Sequence, residues 1–344
     1  YNTPAPSEGN LCVYVPVTRE GDEVTSSFDP SNPTYNASVD ECKINDLHLY
    51  AFPVGGNGTL LSQELPSPEA SNMLNEKVVS YKVQIKPGTY RVYVVANMKD
   101  VLDVNSITTE DDLKKVVLGY TPVSKPGMPV ANNIPMIYEP DTKAADGTAT
   151  DGVVNIGSTN QTTTVVANLR FTCVKVCLNL IYNPGDPAMN AALKSNGLQI
   201  TDIMGKRLSP QTSLLWDGKF TNPNVSDEYA KGIEQTTLYD ATAFTGSGAY
   251  YTSWTETPAN ANVNNEDIIK VKGEGAAAPA NSKDKWLFRA TYYLPERYVA
   301  EASQQSALKV GGAVGGSAIA NSYNINLGHR KDETSTTEVP TFPR

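Results

Sequence analysis

A short apolar segment near the start of the chain, residues 11–17, constrains the fold more than any other feature. It alternates with the two-residue period of a β-strand. The side chains that share one face are those of Leu11, Val13, Val15 and Val17. Burial of these four groups would stabilise a fold by on the order of 6–12 kcal/mol as an upper bound. Pro16 lacks an N–H, which predicts a sheet edge or a bulge at that position.

A basic residue, Arg19, follows this segment and opens a long polar tether. A strand on such a tether is predicted to be detachable. If a protease cut the chain after Arg19, a strand of another chain could replace the first one. The alternative is an ordinary first edge strand with a chance basic residue in its loop. Both interpretations stay open at this point.

Length, charge and composition limit the classes of protein to which the chain can belong. A length of 344 residues favours two domains that each bury a core. The 28 Lys and Arg residues against 37 Asp and Glu residues give a net charge of −9 without any basic run, which argues against nucleic acid as a partner. No apolar stretch of about 18 residues occurs, and the start lacks the pattern of a leader. We expect a mature exported chain from which a leader has been removed.

The four cysteines, Cys12, Cys42, Cys173 and Cys177, allow three pairings. Cys173 and Cys177 lie in an extended run, so about 13 Å would separate their Cα atoms, beyond the reach of a disulfide. A bond between Cys12 and Cys42 stays open. The spacing does not resemble a zinc site, and we expect no metal. Buried thiols that act as small hydrophobic groups are the alternative.

Strand patterns dominate the first half of the chain. Residues 44–52 read as a central strand, and residues 78–85 and 90–98 read as an antiparallel pair around a Pro-Gly turn. Thr109 and Asp112 predict the capped start of a short helix with Leu113, Val116 and Val117 on its apolar face, ended by Gly119. We place a domain boundary near residue 160, which gives domains 1–160 and 161–344.

The second half combines strands with long loops. Strands are predicted at 162–171, 173–182, 198–204, 286–295 and 322–327, with a short helix at 188–195 and a glycine hinge at 311–316. Residues 217–281 read as loops that carry scattered aromatic side chains. These are Tyr239, Phe244, Tyr250, Tyr251 and Trp254. Exposed aromatic groups would form a ligand-contact loop, and the alternative is that they anchor the loops to the core.

Catalytic patterns are not found. The sequence has no G-x-S-x-G elbow, P-loop or dinucleotide fingerprint, and its two histidines are His48, in a strand, and His329, in a charged segment. The acidic stretch 141–151 lacks the ligand order of an EF-hand. We therefore predict a protein that is not an enzyme and has no cofactor.

Several segments, taken in order, resemble the fimbrillins of Bacteroidales, the subunits of type V pili. The resemblance begins with the first strand, Arg19 in a cleavage loop, and a strand that contains Leu47-His48-Leu49-Tyr50. It continues with Pro87-Gly88-Thr89-Tyr90, Val94-Val95-Ala96-Asn97, a helix from Thr109 to Leu118, a strand from Leu169 to Leu180, and Tyr292-Tyr293-Leu294-Pro295-Glu296. The order of these segments carries the resemblance.

The resemblance implies an all-β fold, with two tandem transthyretin-like β-sandwich domains and a few short helices. It also implies export as a lipoprotein precursor, an outer-membrane and cell-surface location, and cleavage after Arg19 by an Arg-specific protease. The groove left by the first strand is then filled by a terminal strand of a neighbouring fimbrial subunit, which is β-augmentation. Family members usually continue into further donor strands, whereas this sequence stops at Arg344.

Two other functions stay open besides that of a stalk subunit. A tip or anchor subunit would retain its first strand and would use the aromatic loop for adhesion to surface glycans or proteins. The third class is a carbohydrate-active or carbohydrate-binding outer-membrane lipoprotein, which a hydrolase assay and a glycan screen would distinguish. The sequence does not distinguish the receptors.

Overall fold

The computed structural model describes sixteen stretches of the chain. These are residues 9–17, 41–56, 58–68, 78–119, 133–140, 151–158, 161–182, 198–215, 233, 235–240, 253–257, 270–271, 285–295, 305–314, 317–320 and 322–327. Within them the chain is mainly β, as predicted. None of the helices in these stretches is long and apolar enough to cross a membrane.

The described part of the first half of the chain contains ten strands and two short helices. The strands are β1 Gly9–Pro16, β2 Leu47–Pro53, β3 Leu61–Leu65, β4 Val78–Ile85, β5 Gly88–Ala96, β6 Val117–Gly119, β7 Met136–Tyr138, β8 Val154–Ile156, β9 Thr162–Val166 and β10 Arg170–Phe171. A 3₁₀ helix spans Val104–Ser106, and the α-helix α1 spans Glu110–Lys114.

The described part of the second half adds ten more strands. They are β11 Cys173–Tyr182, β12 Leu198–Lys206, β13 Gln211–Ser213, β14 Thr236–Asp240, β15 Ser253–Thr257, β16 Lys270–Val271, β17 Lys285–Pro295, β18 Ala307–Val314, β19 Ser317–Ala318 and β20 Tyr323–Asn326.

Two sheets enclose the N-terminal core. The first has the strand order β4-β1-β9, and the second has the order β10-β7-β5-β2-β3, with β8 also paired to β5. Alternate residues of β4 are buried and exposed, which is the pattern of a strand with one face on a core. The inward side chains of both sheets form one cluster that includes Leu49, Val83 and Val92. Because this cluster contains residues from both sheets, the N-terminal part is a β-sandwich.

The prediction that β4 and β5 form an antiparallel pair is wrong. β4 pairs with β1, whereas β5 pairs with β2, so Lys86 and Pro87 carry the chain from one sheet of the sandwich to the other. Alternation in the sequence requires only that one face of each strand be buried, and two facing sheets meet this requirement as well as a hairpin does.

The outer face of the second sheet packs on α1. Thr109 accepts a hydrogen bond from the backbone N–H of Asp112, and the Asp112 carboxylate accepts one from the N–H of Thr109, which is the predicted capping box. Leu113 is fully buried against this face. The helix ends at Lys114 rather than near Leu118, because the chain turns into β6 and pairs with β13.

The C-terminal half forms two further sheets. One has the order β11-β17-β15-β16, and the other has the order β14-β12-β18-β19, with β20 also paired to β18. The predicted glycine hinge is wrong for Gly311 and Gly312, which lie inside β18. A Cβ at Gly311 would collide with the Asp202 carboxylate of the neighbouring strand, so glycine permits close approach here rather than bending. Residues 315–316 and the predicted helix at 188–195 lie outside the described residues.

Residues on both sides of position 160 take part in the N-terminal sandwich. β9 pairs with β1, and β10 pairs with β7, although both strands follow that position. β11 then begins at Cys173 and pairs with β17. The boundary near residue 160 remains a prediction, and this pairing favours a division close to Thr172.

Candidate functional site: the groove of the first strand

The first strand lies in the middle of its sheet. β1 pairs antiparallel with β4 from Gly9 to Pro16 and parallel with β9 from Asn10 to Tyr14. The alternative interpretation, an ordinary edge strand, is therefore wrong. Pro16 nevertheless lies beyond the last residue that pairs with β9, so it has a strand partner on one side only. This placement agrees with its missing N–H.

The predicted face of β1 is buried in the sandwich. Leu11, Val13 and Val15 are 0% exposed and Val17 is 7% exposed. All four belong to the N-terminal core cluster, where they contact side chains of both sheets. The groove that holds β1 is therefore defined by β4 and β9 at its sides and by the second sheet beneath it.

The opposite face of β1 is only partly covered. Pro16 is exposed and Tyr14 is half-buried, whereas Cys12 is 9% exposed. A hydrogen bond with Cys12 raises the pKa of the Tyr14 hydroxyl. Cys12 is a free thiol, so it forms no disulfide with Cys42. The thiol acts as a small packing group, the alternative considered from the sequence.

A buried asparagine holds residues 43–45, which precede β2. Asn97 is 2% exposed and has a φ of 58°, in the left-handed region that asparagine tolerates. Its side-chain amide donates to the carbonyls of Lys43 and Ile134, both at 2.8 Å, and its side-chain oxygen accepts from the N–H of Asn45 at 2.8 Å. These bonds fix residues 43–45 in the fold. In the sequence Asn97 stands out only as the end of the Val94-Val95-Ala96-Asn97 motif, and that motif does not predict this role.

Glu41 links the same segment to the C-terminal sheet. Its carboxylate is 2.9 Å from the Nζ of Lys175 on β11 and accepts a hydrogen bond from the hydroxyl of Tyr293 on β17. Glu41 is 4% exposed, so the ion pair lies largely out of water. Nothing in the local sequence identifies this link, because the partners are 134 and 252 residues away.

The cleavage residue and most of the aromatic loop lie outside the described residues. These are Arg19, Phe244, Tyr250 and Tyr251. Tyr239 lies in β14 opposite Ile203, and Trp254 lies in β15 opposite Phe288. These two positions are in strands rather than loops, which corrects part of the sequence interpretation. The ligand-contact role of the five aromatic residues and cleavage after Arg19 stay predictions.

His48 is a packed histidine. It is 8% exposed, its Nε2 lies 2.8 Å from the Oγ of Ser62, and its ring centroid lies 4.6 Å from that of Tyr50. Burial lowers the pKa of the His48 imidazole, while the charges of Glu64 and Asp46 oppose this shift. His329 lies outside the described residues.

The chain is similar to known fimbrial proteins. Residues 23–169, less than half of the chain, match the family model of the major fimbrial subunit protein, FimA. Among solved structures, the C-terminally truncated tip fimbrial protein Mfa3 of Porphyromonas gingivalis shares 13% identity with a TM-score of 0.46, and the match covers 98% of this chain and 91% of that one. No curated protein matches.

Two proteins of Parabacteroides distasonis are also similar. A candidate cell adhesion protein shares 13% identity with a TM-score of 0.43, and the match covers 98% of this chain and 90% of that one. A fimbrial assembly protein shares 13% identity with a TM-score of 0.36, and the match covers 88% of this chain and 95% of that one. TM-scores of this size assign no role. The match of residues 23–169 to the family model supports the resemblance to fimbrillins that the sequence predicts.

Proposed function

We propose that the protein is a structural subunit of a cell-surface fimbria and has no catalytic role. It polymerises with other fimbrial subunits after a protease cuts at Arg19 and the first strand leaves. Export as a lipoprotein precursor through the outer membrane, adhesion as the outcome of assembly, and exchange of strands between subunits all belong to this proposal. The match of residues 23–169 to the model of the major fimbrial subunit family supports the fimbrial part of it.

The position of β1 carries the strand-replacement part of the proposal. Within the described residues, β4 and β9 each pair with β1 and with no other strand. Removal of β1 would therefore leave unpaired backbone N–H and C=O groups on both sides of the groove and would expose its apolar floor. A strand from a second subunit would restore both ladders and rebury the core, which supplies the driving force for assembly.

The segment after the tether supports the same proposal. Asn97 holds residues 43–45 to the sandwich, and Glu41 bonds to Lys175 and Tyr293. Loss of a fragment that ends at Arg19 would leave these bonds in place. The body of the subunit would then keep its shape while its groove is open.

Digestion with an Arg-specific protease tests the proposal. The folded chain and an Arg19→Lys variant, which keeps the charge but not the cleavable residue, are digested and followed by intact mass, size-exclusion chromatography and negative-stain microscopy. We expect loss of residues 1–19 and growth of oligomers in the parent alone. Cleavage after Arg19 without any assembly, or an uncut Arg19 in a folded chain, would contradict the proposal. An uncut strand would instead favour a tip, anchor or glycan-binding role.

A further inference from the structure

The N-terminal end of the groove accepts no side chain. A Cβ at Gly9 would lie 2.5 Å from the carbonyl oxygen of Gly157 and closer still to the methyl Cγ2 of Ile156. The first of these atoms belongs to the backbone, so it cannot move aside as the end of a flexible side chain would. Gly9 is not among the glycines with positive φ, and its backbone would otherwise suit any residue. The restriction is therefore one of space alone.

The crowding at Gly9 comes from the opposite sheet. Ile156 is the last residue of β8, is 4% exposed, and belongs to the N-terminal core cluster. The Ile156 side chain occupies the space beneath Gly9. At later positions of β1 the corresponding space is occupied by the larger side chains of β1 itself. Gly9 and Leu11 are both buried and share one face of the strand, whereas Asn10 between them is partly exposed. The groove thus accepts side chains from position 11 onward and closes at position 9.

The closed end of the groove fixes the register of the bound strand, which alternation of apolar residues alone does not fix. A strand with apolar residues at every second position can slip by two residues and still present its apolar face to the core. A slip that moves an apolar residue to the Gly9 position is blocked by Ile156 and Gly157. A slip in the other direction moves glycine to the position of Leu11 and leaves a void in the core. Only one register fills the groove.

We propose that the groove selects its partner by this closed end. On the basis of the proposed function, the partner is an extended segment of another fimbrial subunit that carries apolar residues at four alternate positions. It has a glycine, or no residue at all, two positions before the first of them. It lies antiparallel to β4 and parallel to β9, as β1 does. The glycine position therefore determines both which strands enter and the register in which they bind.

Exchange of synthetic peptides into the cleaved protein tests the selection. The full chain is nicked after Arg19 and incubated with fluorescent peptides of residues 9–17, each with serine in place of Cys12 to prevent oxidation. We expect a Gly9→Val peptide to bind at least tenfold more weakly than the parent peptide, because its side chain collides with Ile156 and Gly157. An Asn10→Val peptide, changed on the opposite face of the strand, should bind within about threefold of the parent. Equal binding of the Gly9→Val peptide would overturn the inference and leave the proposed function intact.

Stability of the uncut chain provides a test that does not require strand exchange. A Gly-to-Ala change in a strand ordinarily stabilises a protein, because it restricts the unfolded chain. We expect Gly9→Ala instead to lower the midpoint of chemical unfolding and to speed amide exchange in β1, whereas the matched Asn10→Ala variant does neither. If no peptide exchanges, the proposed function fails, and this comparison still decides whether the groove is closed at Gly9. A Gly9→Ala chain as stable as the parent would overturn it.

Discussion

Asn97 holds residues 43–45 in place through its side chain. Its three side-chain hydrogen bonds connect residues 43–45 and 134, and its left-handed backbone suits few other residues. We expect Asn97→Gly to lower the free energy of unfolding by about 2–4 kcal/mol, because buried partners lose their bonds. Asn97→Ala should cost about 1 kcal/mol more, because alanine also strains the backbone. Chemical denaturation measures both values, and a glycine variant as stable as the parent would contradict this account.

The Glu41 carboxylate contributes a bond between distant parts of the chain. Glu41→Gln is expected to lower the free energy of unfolding by about 1–3 kcal/mol, because a largely buried ion pair is lost while Lys175 keeps some contact with water. A double-mutant cycle with Lys175→Met isolates the pair and should give a coupling energy of at least about 0.5 kcal/mol. Additive effects of the two changes would show that the pair contributes nothing.

His48 makes stability depend on pH. Burial holds the pKa of His48 in the folded chain below its ordinary value of 6.5, so the unfolded chain binds the proton more tightly. The folded state is therefore at full stability above pH 6.5 and loses stability as the pH falls below it. The groups around the ring are Ser62, Tyr50, Asp46 and Glu64. We expect His48→Gln to reduce the slope of unfolding free energy against pH between 5 and 6.5; an unchanged slope would contradict the assignment.

At the scale of elements, β1 is a strand whose inward side chains belong to the N-terminal core. Val13→Ala should lower the free energy of unfolding by roughly 1.5–3 kcal/mol, because it removes apolar contacts from a fully buried position. The matched change on the exposed side of the strand, Pro16→Ala, is expected to stay within about 0.5 kcal/mol of the parent. Urea unfolding compares the two variants. Equal effects would mean that β1 contributes little to the core.

The type of most elements was predictable from the sequence, but their partners were not. Alternation identified β4, β5 and β17, and the Thr109–Asp112 pattern identified the start of α1, because these signals are local. The wrong pairing of β4 with β5 and the wrong alternative of β1 as an edge strand have one cause. A local pattern does not show which strand lies alongside another. The roles of Asn97 and Glu41 depend on residues far along the chain and had no local signal.

At the scale of the whole molecule, the two halves are joined by more than the chain between them. β6 of the first half pairs with β13 of the second, and Leu214 packs with Leu113 and Leu118 beneath the outer face of the N-terminal sandwich. Glu41 adds the bonds to β11 and β17. The groove of β1 thus belongs to a body that is held together independently of β1. A body that keeps its structure without β1 is what strand replacement requires.

The most direct test of this account is hydrogen–deuterium exchange on β4 and β9, together with a mass measurement of the fragment that ends at Arg19. Both are made on the intact monomer and on the assemblies formed after cleavage. We predict that the assemblies lack the fragment, yet protect the amides of residues 78–85 and 162–166 as well as the monomer does, because a strand of another subunit has replaced β1. Assemblies that retain the fragment in equal amounts, or that leave these amides unprotected, would contradict strand replacement.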